Sequence, residues 1–162
     1  MSAIALFNLI DISKLEELKI KSGSKPKKGW FRKAEDEFLD YLDNNTKELK
    51  DYGWSGYVYL ALLEYLKEKG IDLMKSSYDE ISEYISKERE STFFIFTQEH
   101  KLKYLDKLKP ENFDETELKD YCNDFFGADE DNAGQAMLDG IKLLYENIQY
   151  VTENSVILFE IS

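Results

Sequence analysis

Residues Thr92–Thr97 read TFFIFT. Three phenylalanines and an isoleucine between two threonines leave no polar face. β-Branched and aromatic residues fit a pleated surface, so the run predicts a buried strand. It stands in a chain patterned mostly at helical spacing, and its reading separates a helical bundle from a mixed fold. A second run of this kind, Ser155–Ile161 (SVILFEI), lies near the end, and a short apolar segment, Ala3–Ile10 (AIALFNLI), near the start. Strand candidates at the start, middle and end, with helical patterns between, predict an α+β fold, mainly α-helical. The expectation is about seven helices with a small sheet of two or three short strands drawn from distant segments.

On either side of the central run the spacing is helical. Gln98–Leu108 follows it. Ser76–Lys87 precedes it as an amphipathic pattern through Ile81, Tyr84 and Ile85, with Ser77 and Glu80 in capping-box spacing. Tyr57–Lys69 (YVYLALLEYLKEK) is apolar on several faces and predicts the central core helix, ended by Gly70 as C-cap. Asp51–Gly56 (DYGWSG) reads as a turn holding a core tryptophan, and Phe31–Leu49 as a helix. Asp11 or Ser13 caps a helix through Leu15, Leu18 and Ile20. Toward the C-terminus, Asp114–Phe126 is a helix with Leu118, Cys122, Phe125 and Phe126 on one side. Gly127–Gly134 (GADEDNAG) is a loop and Gln135–Ile148 a helix. One domain, 1–162, is the reading, with a basic loop at about 21–30.

Charge narrows function more than any motif does. Residues 1–33 hold eight cations and three anions, a net of +5; residues 34–162 hold 13 cations and 30 anions, a net of −17, giving −12 overall. Such a body repels nucleic acid and anionic lipid and attracts basic partners. The single Cys122 cannot form an intramolecular disulfide, which fits a reducing compartment. The N-terminal apolar run lacks the basic flank and small-residue site of a signal peptide. No stretch approaches the ~18 apolar residues of a membrane span. A cytoplasmic protein is expected.

The densest acidic run is Glu111–Asp131, with nine carboxylates against one Lys119. Glu117, Asp120 and Asp124 share one helix face, and Asp129, Glu130 and Asp131 follow in the loop. These six are the expected partner-binding residues. The same loop invites a calcium reading, with Asp129, Asp131 and Gly134 at positions one, three and six. Ala133 and Gly140 then stand where ligands are required, so no metal is assigned. His100 is the only histidine and reads as a helix surface residue; Cys122 reads as core, with Asp120 and Asp124 raising its thiol pKa. Carboxylates are abundant but no catalytic pair stands out, so no catalytic residue and no cofactor are assigned. The basic head (Lys19, Lys21, Lys25, Lys27, Lys28, Arg32, Lys33, beside Trp30 and Phe31) reads as a solvated segment that pairs with the chain's own acidic surface.

In size, charge and architecture the chain resembles the immunity proteins of contact-dependent growth inhibition and related polymorphic toxin systems. Those families share no diagnostic motif, so the resemblance carries over no functional residue. It implies a non-catalytic inhibitor that covers the active site of a basic toxin domain, a nuclease or ribonuclease, with an acidic surface. The two ends (FNLIDISKLEEL and GIKLLYENIQYVTENSVILFEI) are also similar to the YfbM-like family of bacterial proteins. A protein-interaction adaptor and a small hydrolase are the further alternatives.

Overall fold

The computed structural model describes residues 2–24, 27–29 and 32–162. In chain order the elements are β1 (Ala5–Asp11), α1 (Leu15–Ser22), β2 (Lys27–Gly29), β3 (Arg32–Glu35), α2 (Glu37–Asn45), β4 (Thr46–Glu48) and α3 (Val58–Glu68). There follow α4 (Asp79–Arg89), β5 (Thr92–Phe96), α5 (Gln98–Tyr104), α6 (Glu115–Phe126), α7 (Ala133–Ile148) and β6 (Ser155–Ile161). The fold is α+β and mainly helical. The main sheet has four strands rather than two or three, in the order β4-β1-β6-β5, every pairing antiparallel. Strand β2 lies within the segment read as a basic loop and pairs antiparallel with β3, which falls in the stretch read as the start of a helix; α1 runs into the basic segment as far as Ser22.

Strand β6 lies between β1 and β5, with Ala5 opposite Ile161 and Asp11 opposite Ser155 at the two ends of its pairing with β1. Its alternate residues enter two cores. Ile157, Phe159 and Ile161, with Phe7 and Phe96, pack against α3, α5, α6 and α7. Val156 and Leu158, with Ile10, Phe93 and Ile95, pack against Leu15 and Leu18 of α1, Phe38 and Leu42 of α2, and Ile81 and Ile85 of α4. Helices therefore cover both faces of the sheet, which is why β5 and β6 read as continuous apolar runs.

Several local expectations are corrected. The Phe31–Leu49 pattern yields a helix only over Glu37–Asn45. Asp36 caps it, accepting from the amides of Phe38 at 3.1 Å and Leu39 at 3.4 Å; beyond Asn45 the chain enters β4. Ile20 is 63% exposed, so α1 buries only its Leu15–Leu18 stripe and Ser22. The Ser77–Glu80 box does not form. Instead the Ser76 amide donates to Asp79 Oδ1 at 2.8 Å, and Glu80 reaches across to Lys19 at 2.8 Å. Lys21 likewise sits within ion-pair distance of Glu17 and Glu37. Lys25, Trp30 and Phe31 lie outside the described residues, as do the side chains of Lys27, Lys28, Arg32 and Lys33. Among the described residues no helix is long and apolar enough to cross a membrane.

Candidate functional site

His100 is buried, not on the helix surface. Its Nδ1 accepts the Thr97 amide at 3.1 Å, while Thr97 Oγ1 accepts the His100 amide at 3.5 Å, closing a capping box at the start of α5. Nε2 stands 2.5 Å from the Lys75 carbonyl. With Nδ1 accepting, the proton sits on Nε2 and donates to that carbonyl. Both ring nitrogens are thus occupied by structure. Burial pushes the imidazole pKa down and outweighs the Lys75 hydrogen bond, so the neutral form is favoured. Cys122 is buried as expected, and burial, rather than Asp120 or Asp124, pushes its thiol up. Among the described residues no group of three or more His, Cys, Asp or Glu is placed to hold a metal ion. From Ala133 onward the stretch considered for calcium is the start of α7.

The six acidic candidates lie on α6 and on the loop that follows it. Glu117 sits at the start of α6 facing the end of α3, with Lys69 Nζ at 2.5 Å and the Tyr65 hydroxyl donating at 3.0 Å. Those two partners, Lys69 first, hold its carboxyl below the usual range. Asp120 and Asp124 are exposed on α6. Asp124 lies two residues before Phe126, roughly 200° around the helix from it, so these two residues occupy different faces of α6. Asp129, Glu130 and Asp131 lie on the loop that leads into α7, where Lys119 pairs with Asp131 at 3.0 Å.

That loop is locally over-determined. Gly127 closes α6 in the left-handed region at φ 61°, and the Ala128 amide donates to the Asn123 carbonyl at 2.9 Å. This is the Schellman pattern, and glycine takes that φ without steric cost. The Asn123 side chain then holds the loop twice: Nδ2 donates to the Glu130 carbonyl at 3.2 Å, and Oδ1 accepts the Glu130 amide at 3.0 Å. A Cβ at Gly134 would lie 2.4 Å from the Glu115 carbonyl oxygen, so the start of α7 can press against α6 only as glycine.

Between this loop, the end of α6 and the start of α3 lies an apolar groove of about 410 Å³. Its walls include Trp54, Tyr57, Val58, Phe126, Ala128 and Ala136, and Cys122 also lines it. Trp54 is half-buried rather than a core residue. Its Nε1 donates to Asp139 Oδ2 at 3.0 Å, and Gln135 donates to Asp139 Oδ1 at 2.7 Å, which fixes the indole against α7. Phe126 and its neighbour Phe125 are 45% and 46% exposed, although the sequence pattern placed both beside Leu118 and Cys122. Among the described lining residues Glu130 is the only charged one. Volume and apolar lining fall in the range of ligand and side-chain pockets. The sequence hint was faint: two phenylalanines immediately before a helix-ending glycine, opposite small alanines.

The chain therefore offers a pre-shaped apolar slot with a carboxylate loop at its edge. Comparison with protein-family models, with curated proteins and with solved structures finds no match.

Proposed function

We propose that this chain is a non-catalytic binding protein that captures and neutralises a basic protein partner, in the manner of the immunity proteins it resembles. The partner is a toxin domain of the nuclease class, whose cationic active site the acidic surface covers. The observation that supports this reading is the run from Asp120 to Asp131. It holds five carboxylates and no cation, and the Gly127 and Asn123 hydrogen bonds fix the backbone that presents its loop. A fixed field of one sign raises the encounter rate with a cationic protein and disfavours polyanions. The lone, buried Cys122 suits a cytoplasmic setting, where an inhibitor of this kind would act.

The test is capture from native host lysate followed by an inhibition assay. The expected result is a basic nuclease whose cleavage of RNA or DNA stops at one-to-one stoichiometry, with an on-rate that falls as salt rises. Asp120→Lys with Asp124→Lys should slow capture. Binding that ignores salt, or a captured partner whose activity is untouched, sinks the inhibitor reading; the second outcome favours an adaptor instead.

A further inference from the structure

We infer that the groove between Trp54, Tyr57 and Phe126 is the anchor pocket of the interface: it receives one apolar side chain of a cationic segment of the partner. Lysines or arginines flanking that anchor meet Glu130 and Asp129. The inference rests on the basic-partner reading above and adds where and how the partner is held.

Three observations converge on this occupant. The groove is about 410 Å³, enough for a Leu, Phe or Trp side chain; the Trp54–Asp139 hydrogen bond holds its indole wall and the Asn123–Glu130 bond the loop at its edge. Anchors in desolvated, pre-shaped pockets carry most of the energy of protein interfaces, with aromatic residues and arginine prominent. The edge is acidic: Asp129, Glu130 and Asp131 are exposed, and of these Asp131 is paired with Lys119. A second copy of this chain would bring the same carboxylates and a net charge of −12 against them, and like-charge juxtaposition opposes that contact. A polyanion is opposed in the same way. A cationic segment with an apolar centre satisfies both the slot and its edge.

The experiment follows backbone amide NMR shifts of the full chain during titration with three peptides: KKLFKK, KKSSKK and EELFEE. The expected result is saturable binding of KKLFKK centred on Tyr57, Val58, Phe126, Glu130 and Ala136, at least about tenfold tighter than KKSSKK. EELFEE should be weaker still. Phe126→Ala, a half-exposed position, should weaken KKLFKK about tenfold and leave KKSSKK unchanged. Equal binding of KKLFKK and KKSSKK along the acidic loop overturns the anchor pocket while leaving the basic-partner reading intact. Binding of EELFEE in the groove as tight as KKLFKK overturns it in favour of a general apolar-ligand cavity. Absence of binding by either cationic peptide overturns it too, and the salt-dependent capture assay then decides the wider reading separately.

Discussion

Removing the Asp36 carboxylate should cost the fold about 3 kcal/mol, because that one group serves three contacts. It caps α2 through the Phe38 and Leu39 amides, and it pairs with Arg89 at the end of α4 through both guanidinium nitrogens. Arg89 in turn lies over the Phe38 ring, 4.6 Å from its centroid. A lost Asp cap is worth about 1 kcal/mol. The side chains of Arg89 and Asp36 are 18% and 14% exposed. Their pair is therefore stronger than a surface bridge, at 0–1 kcal/mol, and weaker than a fully buried one, whose breaking costs roughly 3–5. About 2 kcal/mol is the intermediate value. Asp36→Ala should lose both contributions, and Asp36→Asn, which keeps a cap acceptor, mainly the second. At this chain length roughly 3 kcal/mol corresponds to a fall in Tm of about 6–12 °C.

Urea unfolding of Asp36→Ala, Arg89→Met and the double variant closes a cycle, Met being chosen to keep the apolar stack on Phe38. A coupling energy of about 2 kcal/mol is expected. Burial alone would raise the Asp36 carboxyl, but the Arg89 hydrogen bond and charge and the two amides outweigh it, so its pKa lies below the ordinary value. The associated stability is therefore complete above the unfolded carboxyl value and is lost as pH falls through the folded one. A coupling energy near zero, or an acid limb unchanged in Asp36→Asn, would refute the reasoning.

Three further outcomes follow from the packing. Gly134→Ala forces α6 and α7 apart, because the new Cβ meets the Glu115 carbonyl rather than a movable side chain. Overpacking of about 1–3 kcal/mol should exceed the roughly 1 kcal/mol gained in helix propensity, and a variant more stable in urea would contradict this contact. Neutral His100 alone can accept the Thr97 amide, and burial lowers its pKa, so stability should be full above the unfolded value near 6.5 and fall as pH drops below it. Thermal melts of His100→Gln between about pH 7 and 5 should lack that decline. At the alkaline end, Tyr52 and Tyr59 donate to the Ala136 and Gly140 carbonyls, and burial raises both phenols above the ordinary value near 10. Their stability is complete below pH 10 and lost above it, at about 2.7 kcal/mol per pH unit once both are free to ionise in the unfolded chain. Near-UV tyrosinate absorbance should rise together with loss of far-UV circular dichroism; full ionisation with the dichroism intact would exclude the linkage.

Residues with one overriding local role were legible. TFFIFT and SVILFEI announced strands because helices cover both faces of the sheet, leaving no polar alternation. YVYLALLEYLKEK announced the central helix because Tyr59, Leu62, Leu63 and Leu66 are all buried. Strand β4 was not legible. Its residues, Thr-Lys-Glu, are polar, with Lys47 and Glu48 exposed, and its pairing depends on an open side of β1 that only the assembled sheet provides. The His100 cap was missed because capping boxes are recognised by Glu or Gln at that position, and an imidazole nitrogen can accept in the same place.

For the candidate site the division is sharper. Net charge and its concentration between Glu111 and Asp131 are sums over residue types, so the sequence alone determined the sign and density of charge in that stretch. Which carboxylates remain available depends on through-space neighbours: Lys69 engages Glu117 and Lys119 engages Asp131, while the Asn123 side chain holds the backbone at Glu130. The groove depends on such neighbours entirely. Phe126 and Ala136 come from successive helices and Trp54 from a loop some seventy residues earlier, and each is unremarkable in its own segment. Only the packing of α3, α6 and α7 brings them to one slot, because apolar burial rewards contact in space and is indifferent to distance along the chain.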